Sequence, residues 1–326
     1  MIVPEYWAEA REQARHKGRM VTVRRYGWSD EGVAAAQAHA NARAREALGA
    51  ILTGAALPRR ERRSNYGIVG VPIREQIVAR HGDVVITRNS YGALCLNTPD
   101  VLFADVDLAT RPSGRAISIG VFVVVMALGF AAGLLAWHWS AGLALAIAAG
   151  WAVNRVALRR QQAAFDRDGG AEVRALALLE AFSAAHPDWH LRVYRTPAGL
   201  RVLAMHRTFQ PDDADAALLF SALQADRLYT VMCKVQRCFR ARLTPKPWRI
   251  GIDQRIRPPV AAWSAEQAHL PERLHWIARY EQQSKDHAAC RYLRSLGDTS
   301  CVDPETEHVR ALHDAMSRAD SDLPLA

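Results

Sequence analysis

Charge is missing over a stretch long enough for its absence to matter. Across the 37 positions from Ile117 to Val153 there is no Asp, Glu, Lys or Arg, and the only ionisable side chain is His138. One crossing of a ~30 Å hydrocarbon core takes about 20 apolar residues, so the run is too long for one span and nearly right for two. Cysteine is also scarce. The five present (Cys95, Cys233, Cys238, Cys290, Cys301) show no paired spacing, which excludes a disulfide framework and fits a reducing cytoplasm. Cys233-x4-Cys238 is wider than a usual zinc knuckle, and Cys290 and Cys301 are further apart still, so buried thiols are the expectation. There is no Walker loop, no G-x-S-x-G, no H-E-x-x-H and no dinucleotide fingerprint. Internal repeats and low-complexity segments are absent as well.

The uncharged run predicts two helices, Ile117–Ala136 and Ser140–Leu158, turning at Trp137-His138-Trp139-Ser140, with the tryptophans at a lipid–water interface. Asn154 and Arg155 interrupt the second helix, and Arg155 would have to snorkel. Arg111 and Arg115 precede the run, and Arg155, Arg159 and Arg160 follow it. Basic flanks on both sides predict that both termini lie in the cytoplasm and the tip outside, as in a two-span inner-membrane protein. The alternative is a buried helical pair in a large soluble core. The run is internal and the N-terminus polar, which excludes a signal peptide.

About 280 residues lie outside the two predicted helices and their turn, enough for one large or two modest domains. The fold expected is a membrane-anchored α+β protein, with a two-helix transmembrane hairpin inserted in a cytoplasmic mixed α/β domain. Residues 1–115 form one cytoplasmic portion and 116–158 the hairpin. Residues 159–303 complete the same sheet, and 304–326 form a tail, a final helix after Pro304 that frays into disorder. Period-two alternation and Gly, Pro, Asn and Asp boundaries predict strands at Met20–Arg24, Gly67–Ile73, Val84–Thr87, Ala93–Leu96, Val101–Val106, Leu191–Tyr194 and Arg201–Met205. Helices are predicted at Glu5–His16, after Ser29 through Leu52, over Arg155–Ala185 with a break at Gly169-Gly170, from Asp212 to Leu223 and over Glu266–Leu296. Cys233–Arg257 reads as a basic, Pro-interrupted connection.

Net charge is +9 with a pI near 9.7, which points to anionic partners: phospholipid head groups, nucleotides or nucleic acid. From Lys234 to Arg257 there are eight cations against one acid, Asp253. Lys234, Arg237, Arg240, Arg242, Lys246 and Arg249, interleaved with Phe239 and Trp248, suit phosphate contacts and base stacking, or equally a surface held to anionic lipid. Asp105 and Asp107 end an apolar strand two residues apart, so their carboxylates share a face and could share Mg²⁺ or Mn²⁺. His206 ends the returning strand of the Leu191–Met205 pair. The polar stretch Arg88-Asn89-Ser90-Tyr91-Gly92 between two strands consists largely of ordinary turn residues and is given no role.

An acidic pair ending a strand, a strand ending in His, then a strand ending in Asp resembles the three-motif layout of the archaeo-eukaryotic primase/primase-polymerase superfamily. The resemblance implies metal ligation by Asp105, Asp107 and Asp253 and a phosphate contact by His206. Three departures are an inserted hydrophobic run, Ala204 where a small hydroxyl is common, and a long gap from His206 to Asp253. Two readings follow. One is a membrane-tethered interaction module with a basic cytoplasmic domain that meets the bilayer and an anionic partner. The other is a metal-dependent nucleotidyl or phosphoryl transferase.

Overall fold

The computed structural model describes residues 3–61, 71–108, 119–136, 138–167, 169–258 and 263–326. The chain divides into two compact units, one made of Met1–Val106 with Phe182–Ala326 and the other of Asp107–Ala181. The architecture is mixed α+β.

The first unit begins with β1 (Tyr6–His16) and β2 (Arg19–Ser29), antiparallel along all eleven residues. The helix expected over Glu5–His16 is therefore a strand. Ala, Glu, Arg and Gln favour a helix locally, but tertiary pairing overrides that weak preference. Lys17 and Gly18 form the turn with φ of +47° and +75°, the doubly positive geometry that matches strand twist in a two-residue hairpin. Trp7 meets its cross-strand partner Trp28 with ring centroids 5.8 Å apart. α1 (Val33–Leu52) buries Ala36, Ala40, Ala44, Ala47 and Leu48, a stripe of three- and four-residue steps. Ser29 is not its cap: Gly32 occupies that position, and the Ser29 hydroxyl accepts from the Glu31 N–H.

Two four-stranded sheets follow. β3 (Gln76–His81), β4 (Val84–Arg88), β5 (Leu94–Thr98) and β9 (Phe239–Arg242) pair in that order. The other sheet runs β10 (Arg291–Gly297), β7 (His190–Arg195), β8 (Gly199–Ala204), β6 (Phe103–Asp107). Both sheets thus draw strands from before and after residues 107–181, and every residue of β4 and β8 is buried. The strand expected at Gly67–Ile73 lies largely outside the described residues, and β3 begins after it.

α5 (Ala214–Ala222), α6 (Arg227–Gln236), α7 (Pro271–Ser284) and α8 (Pro304–Ser317) complete this unit. The basic connection is in part regular structure, supplying the end of α6 and the whole of β9. The long helix expected over Glu266–Leu296 is shorter. It stops at Ser284, and the chain re-enters the sheet as β10. The tail is ordered. Asp303 caps α8 by accepting from the Glu305 and Thr306 N–H groups, with Pro304 at the first helical position. The terminal Ala326 N–H donates to Ala288 O at 3.0 Å. Gly92 is fixed by its surroundings: its φ is +98°, and a Cβ there would overlap the Trp276 ring. Trp276 in turn stacks on Tyr280 at 5.1 Å in a cluster with Ile250, Ile252 and Ile256.

The second unit contains α2 (Ile119–Ala136), α3 (Trp139–Arg167) and most of α4 (Gly170–Ala185). α3 is long and apolar enough to cross a membrane, and α2 carries a shorter apolar stretch, Ile119–Leu135. The two pack through small residues. A Cβ on Gly133 would overlap the Gly142 backbone, and one on Gly129 would sit 2.9 Å from Ala146 Cα. The large side chains face outward, including Val123, Leu128, Leu143, Ile147 and Trp151, and Leu135 is 90% exposed. Gly169 and Gly170, with φ of +83° and +70°, break the helix between α3 and α4 as expected.

Candidate functional site

Asp105 lies on β6 beside Arg201 of β8. The carboxylate takes both arms of the guanidinium, Nε to Oδ1 at 2.8 Å and Nη2 to Oδ2 at 3.3 Å. Its backbone carbonyl accepts from the N–H of Asp226, the residue that caps α6. Arg201 is 2% exposed, with Asp105 its one carboxylate partner among the described residues. Its Nη1 donates to Arg242 O at 2.9 Å and reaches His313 Nε2 at 3.2 Å.

The network continues through α8. His313 Nδ1 is 2.8 Å from Asp314 Oδ1, and Asp314 Oδ2 accepts from Arg192 Nη2 at 2.9 Å and Arg310 Nη1 at 3.0 Å. Cys290 Sγ lies 3.8 Å from His313 Nε2 and donates to Ser317 Oγ at 3.3 Å. Charges this deep are tolerated only when paired. Burial alone would lower the Arg201 pKa, but the Asp105 carboxylate more than offsets it and the net shift is upward. Burial would raise the Asp314 pKa, yet its bonds to His313, Tyr194 and Arg192 hold it below the usual carboxylate value.

The other candidate residues have surroundings of their own. Asp107 is exposed at the end of β6, and Asp253 is exposed after the turn at Gly251. His206 follows β8 in a bend, its ring 4.7 Å from Trp189 and 5.4 Å from Phe209. Its Nδ1 accepts from the His190 N–H at 3.4 Å, and burial first, then Arg207, lowers its pKa. Among the described residues no three His, Cys, Asp or Glu stand close enough to hold a metal ion.

The basic segment does not present one continuous face. Lys234 and Arg237 are exposed at the C-terminal end of α6. Arg240 is buried on β9 and gives two bonds to Glu75, at 2.7 and 2.9 Å. Arg242 is half-buried, Lys246 lies 5.5 Å over the Trp248 ring, and Arg249 sits in a short 3₁₀ turn.

Sequence reasoning missed the buried arginines. The available signal was Arg201 itself, a lone cation inside the apolar run Leu200–Met205, across from a lone acid in the apolar run Val101–Val106. No known protein family, no curated protein and no solved structure matches the chain.

Proposed function

We propose that this chain is an integral membrane protein, anchored by α2 and α3 as a two-span hairpin, whose basic α+β unit acts in the cytoplasm as an interaction module. The observation that carries this reading is the inverted packing of α2 and α3. Glycine and alanine meet between the helices while leucine, valine, isoleucine and tryptophan face outward. Small residues let helix backbones approach closely in lipid, where large apolar side chains lose nothing by facing out. Arg155, stacked on Trp151 at 4.9 Å, supports an exit from the hydrocarbon near that point of α3. The exposed cations Lys234, Arg237, Arg255 and Arg257 suit an anionic membrane surface.

In the metal-dependent alternative Asp105 would share its carboxylate between the ion and the buried Arg201. The module asks nothing of that pair. The test is labelling in whole cells. A cysteine placed at Ser140 should react with a membrane-impermeant thiol reagent, and one at Ser321, near the C-terminus, should not; the reverse pattern would overturn the topology. Binding to anionic vesicles should fall steeply as salt rises, because exposed charges are screened beyond ~8 Å at physiological ionic strength. Binding unchanged after neutralising Lys234, Arg237, Arg255 and Arg257 together would remove these residues from the reading.

A further inference from the structure

β1 is an edge strand, and its edge is open. It runs eleven residues without a bulge, in register with β2 throughout. The edge strands of the two four-stranded sheets are guarded. β3 and β10 lie in pairs whose register shifts, between Ile77 and Ala79 and between Tyr292 and Arg294. β6 and β9 are only five and four residues long. Bulges and short lengths keep an edge from recruiting another chain. β1 has neither.

The two edges of the hairpin differ as well. A two-residue turn makes His16 and Arg19 a hydrogen-bonded pair, and bonded and unbonded pairs alternate from there. Trp7, Glu9, Arg11, Gln13 and Arg15 therefore turn their N–H and C=O groups away from β2. Their partners on β2 turn theirs the other way, and several of those groups are satisfied. The Arg24 N–H donates to Arg59 O at 2.9 Å, the Tyr26 N–H to Glu61 Oε2 at 2.8 Å and the Trp28 N–H to His39 Nδ1 at 3.3 Å. On the β1 side, among the described residues, one outward backbone group is bonded: Glu9 O accepts from Gln37 Nε2 at 3.4 Å. Glu9, Arg11, Gln13 and Arg15 are exposed, so the row is open to another strand.

We propose that β1 pairs antiparallel with β1 of a second copy of this chain, across a two-fold axis at Ala10. Self-pairing sets outward-turned residues opposite one another, because only they can exchange hydrogen bonds across the new seam. Charge then chooses among the central registers. An axis at Arg11 sets arginine against arginine. An axis at Glu9 or at Glu12 sets glutamate against glutamate. An axis at Ala10 sets each Glu9 against the Arg11 of the other copy and brings no like charges together. Opposite charges directly across a sheet are favourable and like charges unfavourable. Within one copy Arg11 lies directly opposite Arg24, a like-charge pair that the second copy's Glu9 relieves. The product is a four-stranded sheet, β2-β1-β1-β2, with about eight new backbone hydrogen bonds. A two-stranded sheet is marginal by itself, and four strands is a usual size. The inference goes beyond the membrane reading and does not rest on it, since β1 lies in the first unit.

The test is sedimentation equilibrium of the full chain in neutral, density-matched detergent over a range of protein concentrations. The wild type should fit a reversible monomer–dimer equilibrium. Arg11→Pro removes an outward N–H and no bond of the β1–β2 ladder, and should raise the dimer dissociation constant about tenfold or more. Glu9→Arg sets arginine against the other copy's Arg11 and should weaken the dimer by a similar factor. Glu9→Arg combined with Arg11→Glu swaps the pair and should restore most of the association. Should Arg11→Pro fail to fold, the charge series still decides. A wild type that is monomeric throughout, its edge left to a strand of some other protein, would overturn the proposal. A dimer that neither single variant weakens would overturn it too, as would a charge swap that restores nothing.

Discussion

Replacing Asp105 by Asn tests the central network most directly. The substitution keeps shape and removes charge, leaving the Arg201 guanidinium with neutral acceptors and His313 but no carboxylate. Breaking a fully buried ion pair from one side costs about 3–5 kcal/mol. Asp105 is 35% exposed, so water re-solvates part of the site and the expected loss is about 2–3 kcal/mol. At about 2–4 °C per kcal/mol for a unit of this size, the melting temperature should fall by roughly 4–12 °C. The assay is thermal unfolding in detergent, followed by circular dichroism, with and without millimolar Mn²⁺. The wild type should melt at the same temperature in both, and Asp105→Asn should lose the same amount in both. Adding Arg201→Met should recover part of the loss, because the stranded charge is then gone. A wild-type melting temperature raised by Mn²⁺, with Asp105→Asn abolishing that rise at no cost to the metal-free fold, would refute the reasoning and make Asp105 a metal ligand.

Other outcomes follow from single contacts. The Asp314 pKa is depressed in the fold, so its contribution to stability is present above its ordinary value of 3.8 and lost as pH falls through the folded value. The stability gap between wild type and Asp314→Asn should therefore be widest above pH 3.8 and close below it in acid-unfolding curves. Gly92→Ala combines positive φ with overlap onto Trp276 and should cost about 2–4 kcal/mol in denaturant unfolding. Deleting residues 318–326 removes the Ala326–Ala288 bond and the backbone bond from Ala289 to the end of α8 loses its setting, so proteolysis at the β10 edge should accelerate.

Local signals carried much of the fold. Short apolar runs bounded by Gly, Asn and Asp located β4 to β8, and the doubled glycine located the break before α4. β1 was not legible, because its Ala, Glu and Arg content favours a helix until β2 is there to pair with it. The helix after Pro304 was legible, but the order of the residues beyond it was not, since what holds them is the Ala288 backbone. The site failed for a related reason. Asp105, Arg201, Arg242, Cys290 and His313 each look unremarkable in their own windows. Only a sheet that brings positions 96 and 112 residues apart into contact makes them a network.

That same spacing sets a timetable for making the protein. β6 leaves the ribosome 96 residues before the Arg201 that its aspartate requires, and α2, α3, α4 and β7 are made in between. At about 5–20 residues per second, the strand waits roughly 5–20 s. During that time its neighbour in the sheet does not yet exist and its edge is open to other chains. Insertion of α2 and α3 into a bilayer would have to be completed inside that interval. A translation pause or a slow insertion step would then be felt as aggregation of the first unit, through a strand outside the helices where the delay arose.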